Sequence, residues 1–201
     1  MTKKARGHVL EVSAGTGRNS KFYDLKKCAS VTLVDLSPEM MEFCRQKWKL
    51  LHPDYAAVSF HTQSALLALP HPPPGKGYTT ILQTFGLCST PQPAALLRHL
   101  GTLLDKDEGR VLLLEHGRGY YRWVNWVLDR TAGRHAERHG CWWNRDLERV
   151  VGESGLVVVG KRRRHAGTLW VWELRAPGRG EKEKQEKSGK DLEGAEKEGA
   201  P

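Results

Sequence analysis

"HVLEVSAGTGRN", residues 8–19, decides how the rest of the chain is read. Val9–Val12 is a short apolar run of the kind that fills a buried strand. Gly15 and Gly17 follow almost at once. Glycines this close together weaken a helix or a strand. They belong to a backbone that turns tightly or leaves room for something to approach it.

Working outward from the turn, the pattern alternates. The sequence predicts a helix from the turn to about Lys27, then a second strand at Val31–Asp35. Ser37 and Pro38 open another helix, as N-cap and first helical residue. A third strand is expected at Val58–His61. A fourth, Tyr78–Gln83, follows the Pro/Gly-rich loop His71–Gly77, and a helix covers Ala94–Leu104. Arg110–Glu115 (RVLLLE) is apolar through its middle and reads as a strand covered on both faces. A long aromatic segment comes next, then a helix at Asn144–Ser154. Two strands, Val157–Arg162 and Leu169–Leu174, are joined by a turn near Ala166-Gly167. Such alternation gives an α/β fold with a mainly parallel sheet.

The glycine turn therefore lies at the carboxyl end of strand one, where open α/β sheets bind ligands. Asp35 closes strand two, 20 residues after Gly15, where a carboxylate can accept from both hydroxyls of a ribose. The same residues also suit a tight βα connection with Asp35 capping the next helix, so both readings stand. If the ligand is a nucleoside, charge chooses which one. A dinucleotide site wants Gly-x-Gly-x-x-Gly, and here Ser20 stands at the third position. Glu11, at the end of strand one, suits a cation better than a pyrophosphate. S-adenosylmethionine carries a sulfonium and an ammonium, whereas NAD carries two phosphates. The charge pattern favours S-adenosylmethionine.

"HVLEVSAGTGRN", "TLVDLSPEMM" and "ILQTFGLCSTPQPAALLRHLGTLL…GRVLLLEHGR" resemble class I S-adenosylmethionine-dependent methyltransferases of the ubiquinone/menaquinone-biosynthesis-like group. "FGLCST…LLLEHGR…HGCWWNRD" is more similar still to fungal methyltransferase-like proteins of the mitochondrial inner membrane. The resemblance covers about residues 7–176. It implies a Rossmann-like, mainly parallel seven-stranded sheet whose last two strands form an antiparallel hairpin.

The resemblance also implies roles, residue by residue. Glu11, Ser13, Ala14, Gly15 and Gly17 would surround the methionine end of the cofactor. Asp35 would hold the ribose and Leu36 would lie against the adenine. Gln63-Ser64-Ala65 stands where the family has Gly-Asp-Ala, whose acid contacts the adenine amine, so Ser64 would take that place with Ala65 beside it in the cofactor site. Gln83, ending strand four, would lie beside the methionine moiety or the substrate. Three departures stand out: Ser13 replaces a glycine, Ser64 replaces an acid, and only seven residues precede His8 where relatives have one or more helices. The N-terminal helices of the family are thus expected to be missing.

Composition sets the remaining bounds. The chain has 201 residues and a formal net charge of +9. Residues 1–176 form the expected methyltransferase-like domain. Residues 177–201 hold one Leu and no aromatic residue, and are expected to be a disordered charged tail. No apolar run approaches the roughly 18–20 residues of a membrane span, and no signal or transit peptide is evident. Cys28, Cys44, Cys88 and Cys141 lie far apart, as reduced, mostly buried thiols of an intracellular protein do. The resemblance implies a mitochondrial location, with the cytoplasm as the alternative.

Several residues on the substrate side carry both a sharp and a bland reading. His116, at the end of strand five, suits contact with substrate or a structural hydrogen bond. Tyr120, Tyr121, Trp123, Trp126, Trp142 and Trp143 read either as an aromatic lid or as an amphipathic helix on the sheet. Trp142 and Trp143, beside Gly140, are expected in the lid. His135 and His139 are four apart, with Cys141 and His116 as candidate neighbours for zinc, but no second paired signal accompanies them, so no metal is expected. Lys161-Arg162-Arg163-Arg164-His165 suggests an anionic membrane or nucleic acid, or simply a solvated strand end. No general base is evident, so no catalytic residue is named. The function expected is methyl transfer to a small or lipid-like acceptor, the alternative being a non-catalytic module acting in binding or assembly. A nucleic-acid acceptor is disfavoured, since the Asn/Asp-Pro-Pro-Tyr/Phe signature of amino methylation is lacking.

Overall fold

The computed structural model describes residues 1–72, 76–178 and 181. Seven strands form one sheet: β1 (Gly7–Val12), β2 (Cys28–Asp35), β3 (Val58–Thr62), β4 (Thr80–Thr84), β5 (Arg110–His116), β6 (Val157–Arg164) and β7 (Leu169–Arg175). Their order is β3-β2-β1-β4-β5-β7-β6. The first five pair in parallel, and β7 runs antiparallel between β5 and β6. The mainly parallel seven-stranded sheet with its antiparallel hairpin is thus present.

Apolar side chains cover both faces, as the unbroken runs of β1, β2 and β5 require. On one face, Leu96, Leu97 and Leu100 of α2 (Pro93–Thr102) and Leu147, Val150 and Val151 of α4 (Leu147–Ser154) join Leu10, Ile81 and Leu113. On the other, Met41, Cys44 and Trp48 of α1 (Pro38–Leu51) meet Val9, Val31 and Leu33. Ser37 caps α1 by accepting from the Met40 N–H, with Pro38 at the first helical position. Asp146 caps α4 in the same way through Arg149 N–H.

One expectation needs correction. The segment after the glycine turn is not an α-helix but two 3-10 turns, Ser20–Phe22 and Leu25–Lys27. Ten residues separate Gly17 from Cys28. An α-helix of that length advances about 15 Å, whereas the return alongside the eight residues of β2 needs about 23 Å. A looser path reaches further. The aromatic segment, in turn, contains an 18-residue helix, α3 (Arg122–His139), ended by Gly140 in a left-handed conformation. Of α3 only Ala132 is buried.

The expected tail falls largely outside the described residues. Within them, Glu181 accepts from Arg175 and from the Gly178 N–H.

Candidate functional site

In the sheet order, β1 and β4 lie side by side while their connections leave in opposite directions. A crevice forms at such a switch point, beyond the carboxyl ends of the strands. Here it is a cavity of about 460 Å3. Ser13, Gly15, Asp35, Leu36, Ser64 and Ala65, all singled out from sequence, line it.

Asp35 organises this wall. Its Oδ2 accepts from the Gly15 N–H at 2.7 Å and its Oδ1 from the Ser37 N–H at 3.0 Å. Both readings of Asp35 therefore meet in one carboxylate: it ties the glycine turn to the start of α1 and faces the cavity. Gly15 has a positive φ of 55°, and nothing would obstruct a Cβ there. The glycine is required by backbone conformation and leaves that side of the turn open. Gly17 serves packing instead. A Cβ on it would lie 2.9 Å from Cys44 Sγ and from Ser20 Oγ. Leu36 and Met40 are exposed and form an apolar ledge over the cavity mouth.

Glu11, Ala14, Gly17 and Gln83 do not reach the cavity wall. Glu11 is buried beneath the turn, where its carboxylate accepts from Asn19 Nδ2 at 2.9 Å and from the Tyr23 hydroxyl. Burial pushes this carboxyl up to about 7, against the pull of the Tyr23 and Asn19 hydrogen bonds, and Asp35 adds to the rise. Gln83 is fully buried, with its amide 3.5 Å from Ser13 Oγ and its Oε1 unpartnered.

Two residues of the wall are held in the left-handed backbone region that side chains rarely adopt. Ser13 has φ 56° and Phe85 has φ 54°. Such strain costs about 1–3 kcal/mol and gathers at functional sites. At Ser13 it is a strain that a glycine would not bear. Phe85, missed in the sequence, follows β4, lines the cavity and stacks on the His116 ring at 5.3 Å. Its signal was there to find, as an aromatic residue before Gly86 at a strand end.

His116 itself stands behind Phe85, its Nε2 2.8 Å from Cys141 Sγ. Burial holds its imidazole below the usual range, with His135 adding to the effect. Trp142 is exposed and Trp143 braces α3, its indole donating to the Leu128 carbonyl and stacking on His135 at 3.9 Å. Neither tryptophan lines the cavity. In the basic run, Arg163 stacks over Trp170 and donates to the Gly167 and Arg118 carbonyls, and Lys161 pairs with Glu148.

A methyltransferase-domain family profile matches residues 1–161. The chain belongs to this methyltransferase family. It is 40% identical over 181 residues to the mitochondrial methyltransferase OMS1 of Saccharomyces cerevisiae, covering 85% of this chain and 38% of that protein. The chain thus spans well under half of the yeast protein's length. It is 27% identical over 189 residues to demethylmenaquinone methyltransferase of Chlamydia muridarum, covering 83% of this chain and 78% of that one. Among solved structures it resembles the magnesium protoporphyrin IX methyltransferase of Synechocystis with bound S-adenosylhomocysteine. The TM-score is 0.59 at 20% identity, over 86% of this chain and 75% of that one. The Rossmann-like class I methyltransferase fold expected from the sequence is the fold observed.

Proposed function

We propose that the cavity binds S-adenosylmethionine and that the chain transfers its methyl group to a small or lipid-like acceptor. The observation that carries this reading is the convergence of six residues from the carboxyl ends of β1, β2 and β3 and the segments just after them on one cavity at the switch point. The residues fit the cofactor. Each Asp35 oxygen accepts one backbone N–H and retains a lone pair for a ribose hydroxyl. Leu36 and Met40 offer an apolar face to a purine. Ser64 Oγ accepts from the Leu66 N–H, which leaves its own proton free to donate.

Bound there, the cofactor would supply an activated methyl group on a sulfonium, whose leaving group is a neutral thioether. The chain's part is to position the partners and exclude water, which accounts for much of such a reaction's acceleration. Phe85 and Leu96 supply apolar wall, and Asp35 is the sole titratable side chain among the described residues lining the cavity. The acceptor nucleophile is accordingly one that needs no base from this wall.

Trp123 and Trp126 stand exposed on α3 beside Arg130. That combination supports a peripheral contact with an anionic membrane, consistent with a lipid-like acceptor. The 40% identity to a mitochondrial relative supports a mitochondrial location. No helix of the described residues is long and apolar enough to cross a membrane.

The second reading, a non-catalytic binding module, is favoured by the strain at Ser13 and by Ser64 in place of an acid. Incubation with methyl-tritiated S-adenosylmethionine and a mitochondrial membrane extract separates the two. Catalysis moves label into the organic phase above the level of an Asp35→Ala control. Tight cofactor binding without transfer would establish the module.

A further inference from the structure

Behind the cavity wall, three segments distant in sequence bring Cys88, His116 and Cys141 together. Cys88 sits in the 3-10 turn Leu87–Ser89, His116 ends β5, and Cys141 follows α3. Both cysteines are buried and the histidine is half-buried. Their two sulfurs and one imidazole nitrogen all lie within 4.8 Å of one another. We propose that these three side chains bind one thiophilic divalent ion, zinc, and leave a fourth tetrahedral position for water or a ligand.

The donor set points to this ion. Two thiolates and an imidazole form the soft-to-borderline set that zinc takes in three-ligand sites. With Zn–S bonds of about 2.3 Å and Zn–N bonds of about 2.0–2.1 Å, tetrahedral ligands stand about 3.5–3.8 Å apart. The spacing of the cluster brackets that range. His116 Nε2 and Cys141 Sγ, now 2.8 Å apart, need only open by under about 1 Å.

The scaffold is already locked in place. The Trp142 N–H donates to the Cys88 carbonyl at 3.0 Å, and Arg145 donates to the carbonyls of Cys88 and Thr90. The two cysteine-bearing segments are thereby tied through their backbones before any ion arrives. Charge then balances around the ion. Glu115 is buried, its Oε1 accepting from the Gly86 and Leu87 N–H groups and its Oε2 lacking a hydrogen-bond partner. Two thiolates neutralise the dication, while Arg145 acts on Glu115, whose carboxyl burial pushes up to about 7. Without an ion, burial holds both thiols protonated, Cys141 up to about 12. Binding therefore forms two sulfur–metal bonds and releases two protons to solvent. Ser89 and Thr90, next to Cys88, line the cavity, so the ion would fix the substrate side of its wall.

Sequence reading sets His116 and Cys141 beside His135 and His139, but no short ligand spacing brings in Cys88. His135 and His139, whose spacing does suggest metal, are not in the cluster.

Cobalt(II) titration of the full chain under reducing conditions tests the proposal. We expect one ion per chain, thiolate-to-cobalt charge-transfer bands for two sulfurs, the visible bands of a tetrahedral site, and displacement by zinc. Cys141→Ser and His116→Ala should each weaken binding by more than about 100-fold, beyond what loss of a supporting hydrogen bond does. Cys28→Ser, in the other core cluster, should bind as wild type does. A wild-type spectrum without thiolate charge transfer overturns the proposal, whatever the variants' folding. So does unchanged binding in Cys141→Ser, or a Cys88–Cys141 disulfide formed in preference to metal binding.

Discussion

Helices α1 and α3 use tryptophan in opposite ways. Trp48 of α1 is 1% exposed and packs among the rings of Tyr23, His52, Tyr55 and Phe60. Trp123 and Trp126 of α3 are 69% and 63% exposed. The residue type is the same, so the difference comes from connection. Helix α1 links the parallel strands β2 and β3 and must cross back over the sheet, which presses one face into the core. Helix α3 links β5 to α4, with no strand to rejoin, and is held by a few polar ties. These include the two-pronged Arg118–Asp129 pair, Asn144 on Asp129, Asn125 exchanging hydrogen bonds with the Gly119 backbone, and the Trp143 indole on the Leu128 carbonyl.

Truncation separates the two helices most strongly. Trp48→Ala should cost about 3–5 kcal/mol in urea unfolding. Trp126→Ala should change stability by no more than about 0.5 kcal/mol. A loss above about 2 kcal/mol at Trp126 would mean that the outer face of α3 is packed.

Acids sharpen the same contrast. Glu11, under the turn beside α1, is raised from 4.5 to about 7, so the folded state binds its proton more tightly than the unfolded chain does. This contribution to stability is fully present below pH 4.5 and is lost as the pH rises through about 7. The cost of the ionised form at pH 8 is about 3 kcal/mol. Glu11→Gln should therefore flatten the fall in stability between about pH 5 and pH 7, and stand above wild type at pH 8. Asp129 lies on the surface, with Asn144 and Arg118 holding its carboxyl below the usual range. Asp129→Asn should cost at most about 1 kcal/mol. Denaturation at pH 5 and pH 8 checks both.

A smaller effect is expected at Ser13. Glycine adopts its φ of 56° without the steric cost borne by serine, so Ser13→Gly should stabilise by about 1 kcal/mol in thermal unfolding. A loss of stability would show that the Ser13 hydroxyl, 3.5 Å from the Gln83 amide, outweighs the strain.

Much of the α1 half was legible in sequence because its signals are local. The glycine turn, the acid ending β2, the Ser37-Pro38 helix start and RVLLLE each lie within a few residues. The helix expected before β2 failed because propensity says nothing of the distance a connection must cover. Trp142 and Trp143, expected in an aromatic lid, do not line the cavity, and composition could not tell which way the tryptophans of α3 face. Phe85 required knowledge of its backbone angle. Cys88, His116 and Cys141 required the fold itself, since 28 residues lie from the first to the second and 25 from the second to the third.

The central claim is that Asp35 and the glycine turn build a cofactor cavity rather than a plain tight connection. Calorimetry with S-adenosylhomocysteine tests it most directly. Wild type should bind one molecule per chain. Asp35→Ala, shown by circular dichroism to be folded, should bind more weakly by about 1.5–3 kcal/mol through the lost charged hydrogen bonds. Equal affinity in the two proteins, or no binding to wild type, would contradict the account.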